Sequence, residues 1–446
     1  MIFDDDFNKK IEYLSNHIIC LTFGKRFNQK LENLPTNLKT LTMGLRFNQR
    51  LENLPNKLVS LTLGQKFNQK LENLPDSLLN LTLGQCFNQR LENLPSNLQN
   101  LTLGQRFNQK LENLPDSLQN LTLGHCFNQK LENLPDKLQT LTLGYCFTQQ
   151  LENLPSSLQK ITLKYGPIHS YNVYPKPVSI EMQKCFLEEC FRQQLKNLPD
   201  SLQSLTLKGH FNQKLGKMPN DLRDLKLVGR FNQKLVIFTP NLQNLTFGYY
   251  FNQELYFLPD SLQNLTFGNC FNQKMNNIQC YKRIESLANN LDGSVVYSLP
   301  KNLRRLTLGH EFNQKLENLP SNLRCLTLGH EFNQKLENLP RRLLRLTMSY
   351  HFSQKLVNIP NNLKILSIHS YGDQRFNFCV ALPYLEKIII KGLPICLYVL
   401  PCLFDVMITC NTFFKKSDTI HETKAMYTNY NVDVWKRCLL ESITLS

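Results

Sequence analysis

Phenylalanine returns every twenty residues at Phe7, Phe27, Phe47, Phe67, Phe87, Phe107, Phe127 and Phe147, and most of these are followed by Asn-Gln. Only internal duplication makes so short and strict a period, and a unit this small must stack on its copies to bury an apolar side. One copy, Phe47 to Lys66, reads FNQRLENLPNKLVSLTLGQK. Its recurring apolar positions are Phe47, Leu51, Leu54, Leu58, Leu61 and Leu63, and apart from Val59 the rest is polar or turn-forming. The proline near the middle, Pro35 and its equivalents, excludes a helix of ordinary length. A short strand with an irregular or 3₁₀ return remains. In Leu61-Thr62-Leu63 alternation sends the leucines inward and the threonine outward. Gly64 then suits a tight turn out of the strand. Equivalent strands should pair with one another in one long parallel sheet, spaced about 4.8 Å apart.

Stacking aligns each residue with its copies. Phe27, Phe47, Phe67, Phe87, Phe107, Phe127 and Phe147 are expected to form an interior spine, and Asn28, Asn48, Asn68, Asn88, Asn108 and Asn128 a ladder satisfying backbone groups of a buried turn. Thr148, Arg192 and Ser353 interrupt the ladder, so weaker stacking is expected there. The register resumes at Phe191, Phe211, Phe231, Phe251 and Phe271, then at Phe312, Phe332 and Phe352. Residues 164–190 and 277–300 read as degenerate units, threaded on Tyr171 and on Ile284 and Leu287.

The pattern LPxxLxxLTLGxxFNQxL resembles the FNIP repeat, a relative of the leucine-rich repeat abundant in amoebal proteins and in giant viruses of amoebae. The resemblance runs from Phe7 to about Gly392 over sixteen phenylalanine-anchored units and three weaker ones. It implies a leucine-rich-repeat-like solenoid of about nineteen twenty-residue units, used for protein interaction and in that family often joined to an amino-terminal F-box that recruits ubiquitin ligase machinery. Six residues precede Phe7, where an F-box of several dozen would stand, so a substrate-recognition subunit of a ubiquitin ligase is the alternative expectation, and a weak metal-binding or hydrolytic role a further one. The organisation expected is an N-terminal cap at 1–6, the solenoid at 7–392, a C-terminal cap at 393–414, and a tail at 415–446 with Val432, Trp435, Leu439 and Leu440 on one helical face.

Composition narrows the function. Fourteen cysteines fall at irregular spacings and no secretory signal opens the chain, so an intracellular protein is expected, cytoplasmic in a host. The sequons at Asn80, Asn100, Asn120, Asn244 and Asn264 sit where glycans would crowd the stack. Leu393 to Cys410 holds Pro394, Pro401 and Asp405 and falls short of a membrane span. Almost every polar residue is a repeat copy, which argues against catalysis and implies no cofactor. His310-Glu311 and His330-Glu331 are the sharpest metal candidate, yet the two units differ only at Arg305 and Cys325 and read as a duplication. Cys86, Cys126, Cys146 and Cys270 precede spine phenylalanines and read as small half-buried hydrophobes. No metal ligand is assigned.

The net charge is +16. Lys30, Arg50, Lys70, Arg90, Lys110 and Lys130 form a basic column, but Glu32, Glu52, Glu72, Glu92, Glu112 and Glu132 form an acidic one two residues along, which argues against nucleic acid. Charge is less balanced around Arg304, Arg305, Arg324, Arg341, Arg342 and Arg345, where an acidic partner could be drawn. The most informative departure lies mid-chain. The Glu-Asn before Leu-Pro becomes Val236-Ile237 and then Tyr256-Phe257, and Tyr249 and Tyr250 add aromatics at a loop leaving the strand. These six residues are the candidate partner surface of a monomeric scaffold.

Overall fold

The computed structural model describes residues 1–165, 195, 198–235, 239–275, 278–281, 299–354, 359–370, 376–377, 384–392, 397–398 and 407–411. In regular coils the x-Leu-Thr core becomes a three-residue strand whose leucine is buried while its neighbours stay half-exposed, as at Thr40–Thr42 and Asn100–Thr102. The chain forms two compact units, 1–253 and 254–446.

In the first unit eleven strands, from Cys20–Thr22 to Asn244–Phe247, pair in parallel and in register, with Leu21 beside Leu41 and Leu41 beside Leu61. Strands are three or four residues long up to Thr140–Leu143, then six residues at Lys160–Tyr165, Ser204–Gly209 and Asp224–Gly229. In the second unit seven described strands pair in the same way, from Asn264–Thr266 through Arg305–Thr307 and Cys325–Thr327 to Met407–Asn411. Two short parallel pairs flank this sheet, Phe257–Pro259 with Gln279–Tyr281 and Phe376–Asn377 with Leu397–Tyr398. Met407–Asn411 lies within the stretch read as the C-terminal cap and adds a strand to the sheet; residues 415–446 lie outside the described residues.

The sheet skips both irregular stretches. Lys160 pairs directly with Ser204, and Asn264 directly with Arg305. The periodicity suggested a worn coil at each; between Asn264–Thr266 and Arg305–Thr307 the described strand Gln279–Tyr281 pairs with Phe257–Pro259. Most of both stretches, with Tyr171 and Arg192, lies outside the described residues.

Behind the sheet the rings of Phe27, Phe47, Phe67, Phe87, Phe107 and Phe127 are fully buried, with centroids 6.1–6.2 Å apart and planes within 8° of parallel. Phe147 continues the stack at 6.1 Å. At the return, the Pro35 carbonyl accepts from the Leu38 N–H at 3.1 Å and closes a turn that recurs in later coils.

The asparagines lie at the rim, half-buried or exposed, rather than in a buried turn. Asn28 Oδ1 accepts the Asn48 N–H at 2.9 Å, while Gln49 Nε2 donates to the Asn28 carbonyl at 3.1 Å. The same bonds recur at Asn68, Asn88, Asn108 and Asn128. Because each asparagine serves the next coil's amide, Thr148 and Ser353 still find an acceptor, Asn128 and Asn333, at 2.8 Å. Stacking at Phe147 is as close as elsewhere, so the expected loosening there is corrected.

Glycine also acts differently from the tight-turn expectation. A Cβ on Gly64 would lie 1.7 Å from the Gly44 carbonyl oxygen, and φ there is not in the left-handed region. What requires glycine is the close approach of one coil's backbone to the next. The left-handed residue is instead the asparagine before Leu-Pro: Asn33, Asn53, Asn73, Asn93, Asn113, Asn133, Asn153, Asn318 and Asn338 have φ between 53° and 60°, a region asparagine tolerates better than other side-chain-bearing residues.

Candidate functional site

The strand Asn244–Phe247 runs into Gly248, whose N–H donates to the Leu227 carbonyl at 2.7 Å. The loop from Gly248 to Phe251 holds Tyr249 and Tyr250 outward, 51% and 48% exposed. Their rings meet edge-on at 4.9 Å, and the Arg230 guanidinium stands 5.8 Å from the Tyr250 centroid, within cation–π range. A cation and two aromatic faces are thus presented together, the residue types that anchor protein interfaces.

Val236 and Ile237 lie outside the described residues. Tyr256 and Phe257 belong to the second unit, where they are 40% and 37% exposed. The Tyr256 hydroxyl donates to the Glu254 carboxylate, which raises its pKa above that of an ordinary phenol. Phe257 occupies the position that is left-handed asparagine in regular coils, and here the backbone is extended and paired with Gln279–Tyr281. The change from asparagine altered the main chain as well as the surface. A rule tying that asparagine to positive φ would have found this from sequence.

Elsewhere the loop after the strand builds ring columns. The rings of His310 and His330 lie 4.1 Å apart at a tilt of 43°, Tyr350 meets His330 at 4.2 Å, and His369 meets Tyr350 at 4.9 Å. Burial lowers the His330 pKa most, followed by the charge of His310. Glu331 lies 3.7 Å from His351, not from a pair of histidines, and no cluster of three or more metal-ligating side chains occurs among the described residues. Cys146 is buried; Cys86, Cys126 and Cys270 are half-buried thiols, and burial raises the Cys270 pKa ahead of the nearby Glu311. On the sheet surface Asn100 Nδ2 donates to Asn80 Oδ1, and Asn120 Nδ2 to Asn100 Oδ1, each at 2.6 Å, so these sequon asparagines are engaged with one another.

The columns from Lys30 to Lys130 and from Glu32 to Glu132 are exposed, and no ion pair joins them among the described residues. Arg304, Arg305, Arg324, Arg341, Arg342 and Arg345 are all exposed on the second unit.

Comparison with known proteins places these features. The FNIP repeat family profile matches residues 7–46, 47–86, 87–126, 127–166, 231–270 and 295–331. Among solved structures the chain is similar to CroV588, a giant-virus protein described as a novel circular leucine-rich-repeat structure, at 31% identity and a TM-score of 0.57, covering 94% of this chain and 70% of that one. YopM from Yersinia enterocolitica aligns at 19% identity and a TM-score of 0.43, covering 86% and 90%. None of the curated proteins matches. No helix among the described residues is long and apolar enough to cross a membrane.

Proposed function

We propose that this chain, which belongs to the FNIP repeat family, is an intracellular, monomeric protein-binding scaffold that performs no catalysis. The observation that carries the reading is the exposed Tyr249–Tyr250 pair with Arg230 beside it, on a loop held rigidly between a paired strand and a buried spine phenylalanine. Apolar surface of that kind is costly to leave in water and is the usual mark of a partner site. Tyr256 and Phe257 offer a second exposed aromatic pair on the other unit, and Val236 and Ile237 belong to the same departure from the repeat. The rim amides and turn bonds serve the stack itself, which suits a scaffold.

The test is affinity purification with mass spectrometry from host-like cells, using the intact chain and the double variant Tyr249→Gln, Tyr250→Arg, which restores residue types found at equivalent positions. Loss of a reproducible partner in the variant is the expected result. A partner list unaltered by the change would remove this loop from the binding surface.

A further inference from the structure

We propose that the arginine-rich groove of the second unit takes an extended, acidic segment of a partner protein in which carboxylates alternate with apolar residues. The groove has a volume of about 740 Å³. It is lined by Arg324, Arg342, Asn362, the Lys364–Glu386 ion pair, half-buried Leu344 and buried Leu385. Tyr384 stands beside them, 62% exposed.

Three features of this surface go beyond ordinary solvation. First, the arginines are stacked in register. The Arg324 N–H donates to the Arg304 carbonyl at 2.9 Å, so the two side chains leave adjacent coils from equivalent positions, and Arg305 and Arg345 flank Cys325 in the next row. Like charges facing each other across neighbouring strands are destabilising, and in the first unit the row holding Arg304 and Arg324 carries mainly uncharged residues, Val59, Leu79, Gln99, Gln119 and Gln139. Second, Arg304, Arg305, Arg324, Arg341, Arg342 and Arg345 have no carboxylate partner among the described residues, whereas Lys364 is paired with Glu386 at 2.6 Å. Third, Arg342 is already oriented, because its Nη1 donates to Asn322 Oδ1 at 2.8 Å, leaving its other donors to a ligand.

Arginine rather than lysine dominates the cluster, and its planar fork matches carboxylates bidentately. The apolar lining decides between anions. A nucleic-acid backbone places phosphates and sugars against such a surface and gains little from Leu344 and Leu385. An extended chain of alternating acidic and apolar residues sets its carboxylates on one face, for the arginines, and its apolar side chains on the other, for Leu344 and Tyr384. This inference rests on the scaffold reading only in making the occupant a protein; the surface is separate from Tyr249 and Tyr250.

The experiment is fluorescence anisotropy with the full chain and two labelled probes of equal charge, a short peptide alternating Glu and Leu and a single-stranded oligonucleotide, with an all-Glu peptide as the third arm. The expected result is that the Glu-Leu peptide binds most tightly. The double variant Arg324→Glu, Arg342→Glu should bind it about tenfold or more weakly, since hydrogen bonds to charged groups are the strong ones. Both residues are exposed and lie among like charges, so its melting temperature should not fall below that of the unaltered chain. The pair Arg324→Lys, Arg342→Lys should fall between, keeping charge but losing the fork. Tighter binding of the oligonucleotide, equal binding of the all-Glu peptide, or indifference to the charge reversal would each overturn the proposal. Tyr249→Gln, Tyr250→Arg should leave peptide binding unchanged, so failure of the aromatic-loop reading and failure of the groove are told apart.

Discussion

At the residue scale the repeat is held by a few side chains whose replacements fail for different reasons. Phe87 is fully buried between rings 6.2 Å and 6.1 Å away. Phe87→Ala removes the ring from both contacts and leaves a cavity the rigid stack cannot close, so thermal or denaturant unfolding should show a loss of about 3 to 5 kcal/mol. Gly84 fails in the opposite sense. Its added Cβ would lie 1.8 Å from the Gly64 carbonyl oxygen, which is backbone and cannot step aside. Gly84→Ala should therefore cost about 1 to 3 kcal/mol or more as an overpacking strain, measured in the same unfolding experiment. Ser349 shows what a larger residue needs at an equivalent position: it is fully buried and its hydroxyl donates to the Phe332 carbonyl at 2.6 Å. A methyl group offers no such bond.

At the element scale, each coil is a strand, a loop, a rim and a left-handed turn, and the turn is the part that can change its path. Phe257→Asn restores the residue that favours positive φ in regular coils, so the chain should leave the extended conformation of Phe257–Pro259 and give up its pairing with Gln279–Tyr281. Hydrogen exchange at residues 279–281 should speed up; unchanged protection would mean that the pairing, not the residue, sets the backbone. The loop columns respond to pH. His330 has its pKa depressed in the folded state, chiefly by burial, so protonation favours the unfolded chain. That contribution to stability is intact above the ordinary histidine value of about 6.5 and is lost as pH falls below it toward the folded value. Melting temperature should drop across this window, and His330→Gln should blunt part of the drop; His125 and His210, likewise depressed by burial, act in the same direction. Much of this element plan was legible in the sequence, since period, proline and Leu-Thr alternation determine strand, turn and spine locally. What was not legible depends on neighbours: the rim position of the asparagines, the backbone contact that demands glycine, and the direct pairing of Lys160 with Ser204 are set by the coil next door. The exposure of Tyr249 and Tyr250 followed from their place outside the repeat's apolar positions, but their contact with each other and with Arg230 needed the fold.

At the scale of the whole molecule, the repeat multiplies whatever one coil carries, and charge is multiplied as faithfully as the core. Columns of opposite sign, such as those through Lys70 and Glu72, offset one another. The surplus of +16 lies mainly in residues 201–253 of the first unit, where only Asp221 and Asp224 answer the cations, and at the arginines from Arg304 to Arg345 in the second. Coils about 4.8 Å apart put like charges of neighbouring copies well inside the screening length of about 10 Å at 0.1 M salt, so they repel through most of a low-salt solution. Unfolding relieves that repulsion by separating the copies. Sodium chloride should then raise the melting temperature, by about 2–4 °C for each kcal/mol of repulsion screened in units of this size. The same salt should weaken capture of an acidic peptide, because there the opposite charges attract. Stability and affinity moving in opposite directions over one salt series is the expected signature, read by calorimetry and anisotropy on the same samples. A melting temperature that falls with salt would mean that the few exposed pairs, such as Arg26 with Asp6 at 3.1 Å, outweigh the columns. That outcome is disfavoured because exposed pairs contribute about 0–1 kcal/mol each and repeat far less often than the unanswered cations.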